Sequence, residues 1–193
     1  MSPVQPSLFN TAPAGPEGFR YQAELVTGEA EAELVARFAE LPFKAFEFRG
    51  YEGLRRTVSF GWRYDFNTAR LTRSDDLPDF LAPLRDQAAA FARTSPEAFV
   101  HALVTEYAPG APIGWHRDRP QFGKVVGVSF LSPCLFRFRR KAGAGWTRMS
   151  VPLAPRSAYL LDGEAREVWE HSITPSERLR YSVTFRTLRD GPP

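Results

Sequence analysis

His116 and Asp118 stand two residues apart at the end of the stretch Tyr107-Ala-Pro-Gly-Ala-Pro-Ile-Gly-Trp-His116-Arg-Asp118. In an extended segment successive side chains alternate sides, so an imidazole and a carboxylate at this spacing point the same way. Together they can converge on one metal ion, and a third ligand is then needed. The chain has 3 histidines, His101, His116 and His171, and His171 is the best candidate for that place. Two histidines and one carboxylate on one side of a metal leave several positions open, which is the ligand set of non-haem Fe(II) centres that activate oxygen.

Two further stretches carry chemistry. Near the end of the chain, Leu179, Tyr181, Val183 and Phe185 alternate with Arg180, Ser182, Thr184 and Arg186. The apolar side packs on something, and two placements are open for the polar side. Turned outward it is a solvated strand face. Turned into a barrel it buries two arginines that need anions, and a bidentate arginine–carboxylate pair is the device for holding a small dicarboxylate. Six residues of strand separate the two Cα atoms by about 20 Å, so both side chains would lean inward to share one ligand. The other stretch is Arg55 to Phe66, where Val58, Phe60, Trp62, Tyr64 and Phe66 recur at period two. It is either a strand with an aromatic core face, or a wall on which Trp62 and Tyr64, beside Arg63, stack a flat base and pair a phosphate. Both can hold at once.

Positioning these residues is the work of the remaining elements. Residues 1–18 are rich in Pro, Gly and Ala and read as an irregular lead-in. Between residues 19 and 97 the pattern gives strands over Phe19–Val26 and Phe43–Tyr51, with helices over Gly28–Leu41, capped by Thr27, and Leu77–Arg93. Residues 43–70 read as a possible substrate lid, and Asn67–Asp76 as a loop. From residue 98 to 188 short strands separated by Gly and Pro turns follow one another, with runs at Phe99–Tyr107, Val125–Leu131, Cys134–Arg140, Trp146–Val151, Ser157–Leu161, Trp169–Ile173 and Arg180–Thr187. Helices followed by a run of strands predict an α+β chain with a double-stranded β-helix, or jelly-roll, core and two N-terminal helices packed on one sheet. No repeat or linker divides the 193 residues, so a single domain is expected.

Composition narrows the class. Hydrophobic residues at 43% and charged residues at 24% are ordinary for a globular protein. The lone Cys134 excludes an intramolecular disulfide and suggests a reducing compartment. No apolar run reaches the length of a membrane span, and the first residues lack a signal-peptide layout. These features lead to the expectation of a cytoplasmic monomer without a membrane partner. A net charge of +3 permits a polyanionic partner without requiring one. Arg137, Arg139, Arg140 and Lys141 form a basic cluster, read as a solvated strand face or, alternatively, as a grip on a phosphate backbone. His101 is expected to point away from the site and Cys134 to be core packing.

The order of these parts is similar to a known family. Tyr-x-Pro-Gly followed by His-x-Asp, a later His, and a terminal Arg-Tyr-x-x-Thr-Phe-Arg resembles the AlkB family of Fe(II)/2-oxoglutarate dioxygenases, from about Thr105 to Arg186. The stretch Pro155 to Arg166, ahead of Trp169-Glu-His171, is similar to it as well, whereas the first hundred residues match only loosely. The resemblance implies His116, Asp118 and His171 as iron ligands. It implies Arg180, helped by Tyr107, as the holder of the distal carboxylate of 2-oxoglutarate, with Arg186 near the proximal end and the ligand aspartate. Thr105 and Ser182 stand where the family often has asparagines, and Pro120 where its DNA-repair members tend to be acidic. The implied reaction uses Fe(II), 2-oxoglutarate and O2 to hydroxylate a C–H bond, most readily an N-methyl group of alkylated DNA or RNA. A protein or small-molecule substrate is the alternative, and a jelly-roll binding module without oxygen chemistry is a third reading.

Overall fold

The structure, a computed structural model, describes residues 14–48, 51–65 and 70–189. Its elements are β1 (Phe19–Gln22), α1 (Gly28–Ala39), β2 (Lys44–Phe48), β3 (Tyr51–Asp65), β4 (Arg70–Arg73), α2 (Ala82–Ala92), β5 (Phe99–Tyr107), β6 (Ile113–His116), β7 (Phe122–Phe130), β8 (Cys134–Ala142), β9 (Gly145–Leu153), β10 (Ala158–Leu161), α3 (Gly163–Glu167), β11 (Glu170–Ile173) and β12 (Arg180–Leu188). The major sheet runs β1-β10-β7-β12-β5-β3-β2, with β4 attached to β3. The minor sheet runs β6-β11-β8-β9. Every pairing is antiparallel, from β2 on β3 to β8 on β9. The expected jelly roll is therefore the architecture.

Strand periodicity decides what lies on each side of the major sheet. Along β12, Tyr181, Val183 and Phe185 join Val104, Val126, Val128 and Phe130 in a core that also holds Phe38 of α1 and Leu84, Ala88 and Ala92 of α2. Burying each large apolar side chain there contributes about 1.5–3 kcal/mol. The opposite residues of the same strands face the minor sheet. A second core forms between the sheets from Tyr107, Val125, Tyr159 and Leu161 against Phe136, Phe138, Val151, Leu153 and Trp169. The polar side of β12 is thus turned inward, into the space between the sheets.

Local chemistry explains most element ends. Thr27 caps α1 by accepting from the Ala30 amide at 3.2 Å, and Glu29 and Glu31 sit in its first turn. The second helix begins at Ala82 rather than Leu77, because Pro78 and Pro83 confine the preceding residues to a 3-10 turn over Asp79–Leu81. Arg93 then closes it in the left-handed region at φ 54°. The stretch expected as a loop at Asn67–Asp76 contains β4, which pairs with the outer part of β3. That switch of partner happens at Gly61, where φ is 75° and a side chain would collide with the Val100 carbonyl. β4 is mostly polar, which hid it from a reading by hydrophobic pattern.

Candidate active site

β6 and β11 are neighbours in the minor sheet, and their register puts His116 opposite His171. The ring centroids are 4.3 Å apart. Asp118 follows β6 and brings Oδ2 to 3.6 Å from His171 Nε2. The three residues separated by up to 55 positions in the chain are therefore brought together. Their contacts are pairwise: among the described residues no trio of His, Cys, Asp or Glu closes into a ready-made metal cage. The His116 Nδ1 lies 2.9 Å from the Gly114 carbonyl. A carbonyl can only accept, so Nδ1 carries the proton and Nε2 keeps a lone pair for a metal. Phe136 stacks on the His171 ring at 5.2 Å and fixes its plane.

Electrostatics prepare the same atoms. Burial pushes His171 down to about 3 and lowers His116 as well, so both are neutral at physiological pH, the state in which imidazole ligates metals. Burial alone would raise the Asp118 carboxyl. The Arg186 guanidinium reverses this by donating from Nε to Oδ1 at 2.8 Å, and the carboxyl stays well below its usual range. Arg186 Nη1 also donates to His101 Nδ1 at 3.3 Å. His101 therefore faces the site, contrary to expectation. It lies six positions before Tyr107 on one strand, and even separations share a face. Its buried ring, stacked on Phe122 at 5.1 Å, is held neutral by burial and by Arg186.

Arg180 sits at the other end of β12, opposite Tyr107 in register, and is 1% exposed. Its Nε and Nη2 donate to Ser129 Oγ at 3.2 and 2.7 Å. The guanidinium lies 4.6 Å from the centre of the Tyr107 ring. Nη1 is buried without any hydrogen-bond partner. A buried donor left unmade costs about 1–3 kcal/mol, and a charged one more. A carboxylate between the sheets would remove that cost, so Arg180 could hold a small organic anion. Tyr107 shares a hydrogen bond of 3.3 Å with Ser182, and Thr105 is opposite Ser182 in register. The two arginines do not converge on one point, since Arg186 is engaged with Asp118 while Arg180 retains a free donor.

Three neighbours of this pocket are not evident from the motifs. Ser129 becomes visible only through the β7–β12 register. Arg55 is opposite Tyr107 on β3, and burial lowers its pKa. Tyr159 lies across Gly127, where any Cβ would strike its ring and hydroxyl. Burial raises the Tyr159 phenol, with the Tyr107 phenol adding to it, which keeps it a neutral hydrogen-bond donor. Of the expected base-stacking residues, Trp62 is half-buried and lies one position past Gly61, the partner of His101. The backbones of Arg63 and Tyr64 pair with Thr72 and Leu71, and their side chains lie outside the described residues.

With this geometry established, the relatives can be placed. Residues 18–186 match the 2OG-Fe(II) oxygenase superfamily. The chain is 25% identical over 208 residues to the alkylated DNA repair protein ALKBH8 homolog of Arabidopsis thaliana, covering 88% of this chain and 58% of that protein. It is 31% identical over 134 residues to the RNA demethylase ALKBH5 of Mus musculus, covering 61% of this chain and 33% of that one. The chain thus spans less than two thirds of the length of either relative. The structure of OsALKBH1 superposes with a TM-score of 0.68 over 90% of this chain and 100% of that one, at 14% identity, which shows a shared fold. The chain belongs to the 2OG-Fe(II) oxygenase superfamily, in its AlkB family.

Proposed function

We propose that the protein is an Fe(II)- and 2-oxoglutarate-dependent dioxygenase that removes alkyl groups from nucleobases of DNA or RNA. The observation that carries the reading is the buried Arg180 Nη1 without a partner, in the same inter-sheet space as His116, Asp118 and His171. A neutral imidazole pair and an ionised carboxylate fit iron(II). The free donor fits the distal carboxylate of 2-oxoglutarate.

Iron(II) with 2-oxoglutarate and O2 supplies an oxidation in which the keto acid becomes succinate and CO2 and one oxygen atom enters a substrate C–H bond. This chain's residues prepare it. Arg186 holds Asp118 ionised and fixes its orientation through Oδ1, leaving Oδ2 for the metal. The Gly114 carbonyl fixes the His116 tautomer. Arg180 binds the distal carboxylate and Tyr107 narrows the pocket beside it, helped by Thr105 and Ser182. On an N-methyl group, hydroxylation gives a hemiaminal that releases formaldehyde and the free amine. Support for a nucleic-acid substrate comes from the names of the two relatives and from the arginine–aromatic segment at Trp62, Arg63 and Tyr64.

The test is incubation with Fe(II), 2-oxoglutarate and single-stranded oligonucleotides carrying N-methylated bases. Formaldehyde and succinate should appear together. Turnover on a methylated protein with none on any oligonucleotide would move the substrate to another class.

A further inference from the structure

We infer that the outer face of the minor sheet is a binding track for single-stranded nucleic acid, leading from the metal edge across to β9. The inference rests on the nucleic-acid reading above and names a surface which that reading does not use.

Strand parity places the residues. Phe136 and Phe138 of β8 are fully buried between the sheets, so Arg137, Arg139 and Lys141 point outward. In register with them, β9 presents Ser150, Arg148 and Trp146, and β11 presents Ser172 and Glu170. On β6, His116 points inward, which leaves Trp115 outward on the next strand. Trp115 is thus back to back with a candidate metal ligand, on the edge strand of the sheet. From there to β9 is three strand spacings, about 14 Å.

Cations and indoles interleave along this path. Arg137 and Arg139 lie 5.0 and 4.6 Å from the centre of the Trp115 ring. Arg139 and Lys141 lie 4.1 and 4.7 Å from that of Trp146. Arg139 therefore bridges the two indoles. Glu170 pairs with Arg139 at 2.6 Å, and Arg137 donates to Ser172 at 3.0 Å. Among the described residues of this face, the charges of Arg137, Lys141 and Arg148 are not paired with a carboxylate. Lys141 and Arg148 are exposed, and both tryptophans remain half-exposed.

A solvated strand face, or an edge guarded against pairing with other strands, needs charge but gains nothing from two indoles. Flat aromatic and guanidinium planes set among unpaired cations fit stacked bases joined by phosphates, which is how sequence-tolerant single-strand binding is built. The strand that flanks a target base in the inter-sheet site can turn over the β6 edge and continue on this face.

The test compares a methylated trinucleotide with a methylated 15-mer as substrates, and measures 15-mer affinity by fluorescence anisotropy over a range of salt. The variants are Trp146→Ala, Trp146→Phe and the pair Lys141→Glu with Arg148→Glu; Lys141 and Arg148 are exposed and Trp146 is partly buried, so folding of each is checked by melting temperature. The inference expects Trp146→Ala to weaken 15-mer binding roughly tenfold, with Trp146→Phe restoring most of it. The double charge reversal should weaken binding and lower the logarithmic salt slope by about one or more. Trinucleotide turnover should stay as in the wild type. Wild-type affinity and salt slope in both the alanine and the charge-reversed proteins, with the trinucleotide still turned over, would overturn the inference alone. Absence of turnover on both substrates by the wild type would overturn the nucleic-acid reading and this inference with it.

Discussion

At single residues, the candidate site depends on donors and acceptors that have one task left. Arg180 presents an unmade Nη1 in a buried pocket, and a lysine there offers one point charge in place of a planar fork. Arg180→Lys should weaken 2-oxoglutarate binding about 10- to 100-fold, the loss of a charged hydrogen bond, as read by calorimetry on protein loaded with Mn(II). Retained affinity would assign the carboxylate to another residue. A second pair is coupled by shape. Gly127→Ala drives a methyl group into the Tyr159 ring and should cost about 1–3 kcal/mol of stability. In a Tyr159→Ala background the same substitution should cost much less, and a double-mutant cycle by denaturant unfolding measures that coupling. Additive costs would show that the two side chains do not meet.

At the scale of elements, cross-strand pairs set both register and pH response. Arg56 on β3 donates to Glu106 on β5 at 2.7 and 2.9 Å, and Tyr181 on β12 adds a bond of 3.1 Å. The Arg56 hydrogen bond holds the Glu106 carboxyl below its usual range, against the effect of burial. A depressed carboxylate contributes stability that is complete above the unfolded value of about 4.3 and is lost as pH falls through the lower folded value. Glu106→Gln should therefore be less stable than wild type at neutral pH, with the gap closing below pH 4 in chemical unfolding series. A gap that persists in acid would assign it to packing. In α3, Arg166 donates from Nε to the Gly123 carbonyl at 3.0 Å and from Nη2 to that of Phe122 at 2.6 Å. Its Nη2 also donates to the Arg119 carbonyl, which braces the loop after Asp118. Arg166→Ala should weaken metal binding several-fold in a competitive chelator titration while oligonucleotide affinity is unchanged.

The same elements mark how much the sequence reveals. His-x-Asp is legible because its spacing is local, and the alternation of β12 shows that four polar residues share a face. Alternation cannot say which layer covers that face, because the answer depends on how β6, β11, β8 and β9 assemble into the facing sheet. Ser129 and Tyr159 reach the pocket only through register with β12 and β7, and a motif search has no access to register. His101 was within reach, since its even spacing from Tyr107 places both on one face. Trp115 was within reach for the opposite reason, being one step from His116. β4 escaped because its partner is the part of β3 beyond Gly61, where a positive φ redirects the strand.

At the scale of the whole molecule, two antiparallel sheets pack an apolar core between them, and the polar side of one strand of the major sheet faces the same space. Helices cover the outer face of the major sheet, and a cation–indole face covers the minor one. In the proposed function, metal and keto acid bind as one unit between those sheets, with ligands from β6, the loop after it, β11 and β12. Titrating 2-oxoglutarate into anaerobic protein by calorimetry, with and without one equivalent of Fe(II), tests it most directly. One binding site is expected that requires the metal and disappears in His171→Ala and in Arg180→Ala, both checked for folding. Equal affinity without iron, or in His171→Ala, would contradict it.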